Sequence, residues 1–317
     1  MHRYPAAKTA IALACVALSS GAIGASIAEP SVASQQCVNI QANFGTPFGV
    51  PSARGVSGGG TVFEVVPAAV RGTDAFASPS TSRIRLEPVT LTFSGFAELR
   101  GVGSIVTNLF TGKDFRLPFI DIASLNRVGN VLWSHRFVGP FVSGFSVPEL
   151  SLETPGPANF GVEFVADQKA QGAGCSTQKG NDQVIDKSRF VVEAGGVDSR
   201  AVLGVGAFKI NVPVTSISTG ADGRGTSLAP GRPTLSPVDL VLNPMYAGPW
   251  VTWFQENAQG KAIRKNVTIR LLDKGGQPGA SIMLVDAWPS RFAPLYGNDG
   301  RPERVGMTLQ YDRVEIR

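Results

Sequence analysis

Histidine, cysteine and charge are all scarce in this chain. Its 317 residues include two histidines and three cysteines, and Asp, Glu, Lys and Arg together make up 17%. His2 sits in the extreme N-terminal stretch, so His135 is the only imidazole in the body of the chain. A hydrolase triad needs a histidine beside its nucleophile, and a zinc centre needs several ligands; a lone His135 argues against both. Sparse charge excludes a highly charged tail or a coiled coil. The net charge of +5 falls to about +3 if Arg3 and Lys8 leave with a leader, and no basic run supports nucleic-acid binding. Asp121, Asp273 and Asp286 fall in turn or edge contexts, without the paired spacing that acid–base work requires. No catalytic residue, cofactor or metal ligand is assigned.

Long apolar runs are missing too, except at the start. His2, Arg3 and Lys8 precede the uncharged stretch Ala10–Leu18, and small residues follow up to Ala28, with Pro30 beyond. This reads as an export signal over residues 1–28 that is cleaved; a single membrane anchor is the alternative. Ala12 stands where a lipidation motif would carry Leu before Cys15. Removal of the signal leaves Cys37 and Cys175, which can pair in an exported chain or remain two free thiols.

Gly and Pro are plentiful, 37 and 22, though below the level of low-complexity disorder. With frequent Val, Ile, Thr and Phe they predict a mainly β protein of short strands and turns. Residues 29–60 read as a flexible arm. Its Gly55-Val56-Ser57-Gly58-Gly59 spells a nucleophile elbow, but a glycine run follows where that motif needs a helix. A first domain is predicted over 61–167, a linker over 168–187 and a second domain over 188–317. Each is expected to be a small antiparallel β-barrel or sandwich with one short helix, 96–110 in the first and 249–259 in the second. Gly101 and Gly103 weaken the first helix. Gly220–Pro233 reads as a mobile loop.

One stretch organises the second domain. Val267, Ile269 and Leu271 alternate with Thr268 and Arg270, Asp273–Gly279 turns the chain, and an apolar strand returns through Ile282, Leu284 and Ala287-Trp288 to stop at Pro289. The two domains share landmarks in the same order. Pro88–Phe93 matches Pro237–Leu242, Thr111–Arg116 matches Gln259–Arg264, and Trp133–Phe137 matches Trp288–Phe292. A shared strand, helix, hairpin plan predicts an internal duplication.

The second domain resembles the tail-tube protein family of contractile phages, which is related in fold to the tube protein of type VI secretion. The resemblance rests on Phe190-Val191-Val192-Glu193, on Trp250-x-x-Trp253-Phe254, on Arg264–Ile269 after Gly260, and on Asp286-Ala287-Trp288-Pro289-Ser290-Arg291-Phe292. It implies a structural, non-enzymatic protein whose domains form six-membered rings by sheet pairing, with rings stacked into a tube. Two domains per chain then imply a homo-oligomer in which three chains complete a ring. Arg136, Arg291 and the turn residues Asp273, Gly275 and Gly276 are the candidate assembly contacts, and Trp133 and Trp288 are expected to plug barrel ends. The export signal implies a periplasmic, cell-surface or extracellular place. The competing reading is a secreted monomeric binding module on the same fold; a hydrolase is the remote third.

Overall fold

The computed structural model describes residues 35–41, 53–66, 80–111, 116–125, 130–172, 183–197, 199–219, 225–296 and 302–317. The first half runs β1 (Gln35–Gln41), β2 (Gly55–Gly58), β3 (Thr61–Val66), β4 (Ser80–Leu86), β5 (Val89–Phe93), α1 (Phe96–Asn108), β6 (Phe119–Leu125), β7 (Val131–Val138), β8 (Phe141–Val147), β9 (Leu150–Ser151), β10 (Phe160–Val165) and β11 (Gln168–Gln171). The second runs β12 (Phe190–Ala194), β13 (Val202–Val205), β14 (Phe208–Asn211), β15 (Val214–Thr219), β16 (Gly225–Pro230), β17 (Thr234–Leu235), β18 (Val238–Leu242), α2 (Gly248–Ala258), β19 (Lys265–Leu272), β20 (Pro278–Tyr296), β21 (Pro302–Gln310) and β22 (Arg313–Ile316). Period-two patterning builds the sheets. Val89, Leu91 and Phe93 are buried between Thr90 and Thr92, and Val238, Leu240 and Leu242 repeat this in β18.

The halves share one connectivity. In the first, β1–β6–β7–β11 form one sheet while β2–β5–β10–β8 lie side by side in another. In the second, β12–β19 continue through the first part of β20 to β22, while β13–β18–β21 lead to the second part of β20. Each half has a hairpin, β3–β4 or β15–β16, and one helix after the strand at Val89 or Val238. Small irregularities repeat as well. Ser143 bulges where β8 meets β10, and Ser290 bulges where β20 meets β21. Gly139 and Asp286 hold φ of 61° and 54° at the same corner. The architecture is therefore mainly β: two antiparallel barrel- or sandwich-like units, each with one helix.

Several sequence expectations change here. The stretch 29–60, expected as a flexible arm, supplies β1 to β6 and β2 to β5. Gln168–Gln171, expected as linker, is β11 on β7, and Ile185 of the same stretch is fully buried. Residues 225–230 of the expected loop pair with β15. Pro289 does not stop its strand. It lies beside the Ser290 bulge, where the ladder register shifts and a missing N–H is tolerated, and β20 runs on to Tyr296. The counterpart of Trp288–Phe292 is not Trp133–Phe137, which lies on β7 against β6, but Phe141–Phe145 of β8. Likeness of short aromatic words points to the wrong partner, because residue likeness is weaker than hydrogen-bond register.

Helix α1 belongs to the first half by sequence yet crosses β22 and β20 of the second. Glycine permits the approach. A Cβ on Gly103 would lie 2.6 Å from Cγ2 of Ile316 and 3.2 Å from its carbonyl oxygen, and the Ile316 N–H donates to Thr107 Oγ1 at 3.2 Å. Gly101 faces open space. The two glycines should thus respond oppositely. Gly101→Ala is expected to stabilise by about 1 kcal/mol through helix propensity, whereas Gly103→Ala should lose about 1–3 kcal/mol to overpacking. Urea unfolding of both variants checks the sign.

Candidate assembly interface

Each half carries the same arginine corner. Arg116 donates to Asp167 (2.6 Å) and to the Gly139 carbonyl (3.4 Å), with its guanidinium 5.3 Å from the Phe141 ring centre. Arg264 donates to Asp312 (3.3 Å) and to the Asp286 carbonyl (3.1 Å), and stands 3.9 Å over Trp288. Each arginine precedes the strand after its helix. Each aspartate sits between the two C-terminal strands of its half, and each aromatic residue follows the left-handed corner. The arrangement locks helix exit, corner and closing strands together with charge-assisted bonds and a cation–π contact.

The two corners differ in what lies outside them. Leu228 of the β15–β16 hairpin gives its N–H to Asp167 (3.1 Å), and its carbonyl accepts from Arg116. The Arg116–Asp167 side chains are 26% and 27% exposed, and those of Arg264–Asp312 are 43% and 55%. The first corner is thus covered by the second half of the chain, and the second corner is open.

The hairpin contact is one part of a larger joint. Strand β14 adds to the outer edge of β8, pairing Phe208 with Val147 and Ile210 with Phe145; the Val212 N–H extends the ladder to the Ser143 carbonyl at 2.7 Å. Strand β9 adds to β13. Helix α1 lies on β22, and Arg100 donates to the Gly279 carbonyl beside Phe96. Backbone ladders supply direction, and the apolar face of α1 supplies burial. Residues 184–188 run along the first half and tie the halves covalently. Asp186 accepts from the N–H and hydroxyl of Ser188 (2.9 and 2.8 Å) and from Gly156 N–H (3.2 Å). The Ser188 backbone bond, then its hydroxyl, hold the Asp186 carboxyl below its usual pKa.

The residues expected to make assembly contacts are scattered. Arg136 is committed inside the chain, bound to both oxygens of the buried Asp121 at 2.7 Å and stacked 4.1 Å over Phe119; the Asp121 bond raises its pKa. Asp273 organises its own turn by accepting from Gly275 and Gln277 N–H (both 2.8 Å), while Gly276 takes φ of 78°. Arg291 is exposed on the second part of β20. Trp133 packs against the core with His135 beside it, and Trp288 is half-buried beneath Arg264. Burial, then the Lys169 charge, lower the His135 pKa. Among the described residues no three His, Cys, Asp or Glu side chains converge on a metal position. Cys37 lies on β1, and Cys175, with the pairing expected between them, lies outside the described residues. Arg116, Asp167, Arg264 and Asp312 were missed as a set. The recurring arginine at the end of each helix-to-strand segment was the available signal; the aspartates had none.

Residues 186–296, about a third of the chain, match the family model of the T4-like virus tail tube protein gp19. The segment from β12 to the end of β20 therefore carries the contractile tail-tube family's signature. Among solved structures, the chain is similar to a protein of the anti-feeding prophage baseplate at 18% identity and TM-score 0.35, covering 41% of this chain and 92% of that one. It is also similar to Hcp1 from Flavobacterium johnsoniae at 8% identity and TM-score 0.27 (40% and 93% covered). A third is the anti-feeding prophage tube-terminating cap, at 20% identity and TM-score 0.26 (41% and 87% covered). No curated protein sequence matches.

Two outcomes are expected. Arg116→Ala should cost about 2 kcal/mol, since it strands partly buried partners, and Arg264→Ala no more than about 1 kcal/mol in the unassembled chain; urea titrations compare them. The depressed Asp186 pKa means its contribution is complete above the unfolded value near pH 4 and is lost as pH falls through the lower folded value. The stability gap between the parent chain and Asp186→Asn should therefore shrink on acidification, as read by unfolding midpoints from pH 7 to pH 2.

Proposed function

We propose that this chain is a structural, non-enzymatic tail-tube-like protein, exported and processed, in which two tandem copies of the tube domain are fused. The observation that carries the reading is the family match over residues 186–296 taken with the repeat of that segment's connectivity in the first half. The strand pairing, the Ser143 and Ser290 bulges and the two arginine corners support a common origin for both halves. Three chains then supply six domains to a ring, and rings stack into a tube. The N-terminal stretch 1–28 supports export to the periplasm, cell surface or exterior. Among the described residues no helix is long and apolar enough to cross a membrane.

The test is native mass and negative-stain imaging of the chain lacking residues 1–28. Trimers or their multiples, with annular particles, are expected. Dispersed monomers across salt and pH would sink the assembly reading.

A further inference from the structure

The joint inside the chain has an unused counterpart at each end. The second part of β20 stands where β8 stands, and β21 occupies one edge of it; among the described residues no strand occupies the other. The start of β3 stands where the end of β14 stands. Thr61 and Val62 pair with Leu86 and Arg85 of β4 as Ile210 and Asn211 pair with Leu235 and Thr234 of β17, and the opposite edge of β3 carries no strand among the described residues. Burial follows pairing. Phe145 is 2% exposed and Val147 1% on the covered β8 edge. Their counterparts are the half-buried Phe292 and the exposed Pro294, and Leu295 and Tyr296 beyond are 39% and 65% exposed.

The helices show the same asymmetry. Gly103 and Thr107 of α1 meet β22, and Gly103 and the neighbouring Val106 are buried. The matching positions on α2 are Val251, Phe254 and Gln255, which are half-buried, half-buried and exposed. Strand β11, the counterpart of β22, is exposed at Gln168, Ala170 and Gln171. The arginine corners repeat the pattern a third time.

We infer that a second copy of this chain docks head to tail, its β3 adding to the free edge of β20 and its β11 meeting the open face of α2. Transferring the internal register sets Thr61 opposite Phe292, Val62 opposite Arg291 and Gly59 opposite Pro294. The ladder ends before the last pair: Gly59 is buried, its N–H donates to the Pro88 carbonyl (3.2 Å) and its carbonyl accepts from Lys169 Nζ (3.1 Å), while Pro294 has no N–H to give. Such a contact is heterologous, so it propagates until rotation closes it. The outer joint sets Gln171 where Ile316 stands inside, and no peptide segment ties it as residues 184–188 tie the inner one. The fused pair is then the permanent unit and the outer joint the reversible one. This rests on the assembly reading and adds its surfaces and register.

Disulfide trapping in the processed full chain tests it, with Cys37→Ser and Cys175→Ser as background. Val62→Cys with Arg291→Cys places two thiols at a close, non-hydrogen-bonded ladder pair; oxidation should give covalent multimers on a non-reducing gel. Thr61→Cys with Arg291→Cys points its thiols to opposite faces and should not. Multimers in native mass without in-register trapping would overturn this joint and leave the assembly reading standing. Monomers alone in the parent chain would overturn both. Independently of cysteine, Val251→Arg should weaken association at least about ten-fold in sedimentation while the monomer unfolds normally; unchanged association would overturn the helix contact.

Discussion

The outer edge of β8 needs a partner, and that need governs the arrangement of this protein. An open strand presents a row of N–H and C=O groups that water satisfies poorly once apolar side chains crowd the edge. Here the second half of the chain meets the need with β14. Once that ladder forms, α1 is brought onto β22, the β15–β16 hairpin onto Arg116 and Asp167, and β9 onto β13. One backbone pairing thus recruits an apolar contact and a charged one, and the two units share a continuous core.

The shared connectivity makes this joint informative. Because both halves use it, several surfaces buried between them have twins that face outward among the described residues. Phe292, Val251, Phe254 and the Arg264–Asp312 corner are all less covered than their counterparts. Internal pseudo-symmetry therefore separates residues that hold a fold from residues that hold a neighbour. Arg264 shows the difference: its cation–π contact and its bond to the Asp286 carbonyl serve the fold, while among the described residues its outer side has nothing like Leu228 upon it.

Much of this was legible in the chain. Alternation placed β5, β10, β18 and β19; Pro249 and the tryptophans placed α2; and the match of Thr111–Arg116 with Gln259–Arg264 held at its arginines. What could not be read were pairings made by short or Gly-rich segments. Gly55–Gly58 and Gln168–Gln171 have little apolar patterning, yet both are strands, because edge strands owe their form to a neighbour's ladder. Gly103 read as a weak point in a helix, and its purpose lies 213 residues away in Ile316.

The sequence alone determined the fold class, the helix in each half and the tail-tube resemblance of the second half. Local periodicity and near-neighbour chemistry carry those properties. Only the tertiary structure decided which segments correspond, that α1 serves the other half, and that Phe141 rather than Trp133 is the twin of Trp288. Register and edge pairing are relations between distant backbone groups, and side-chain identity along one strand does not encode them.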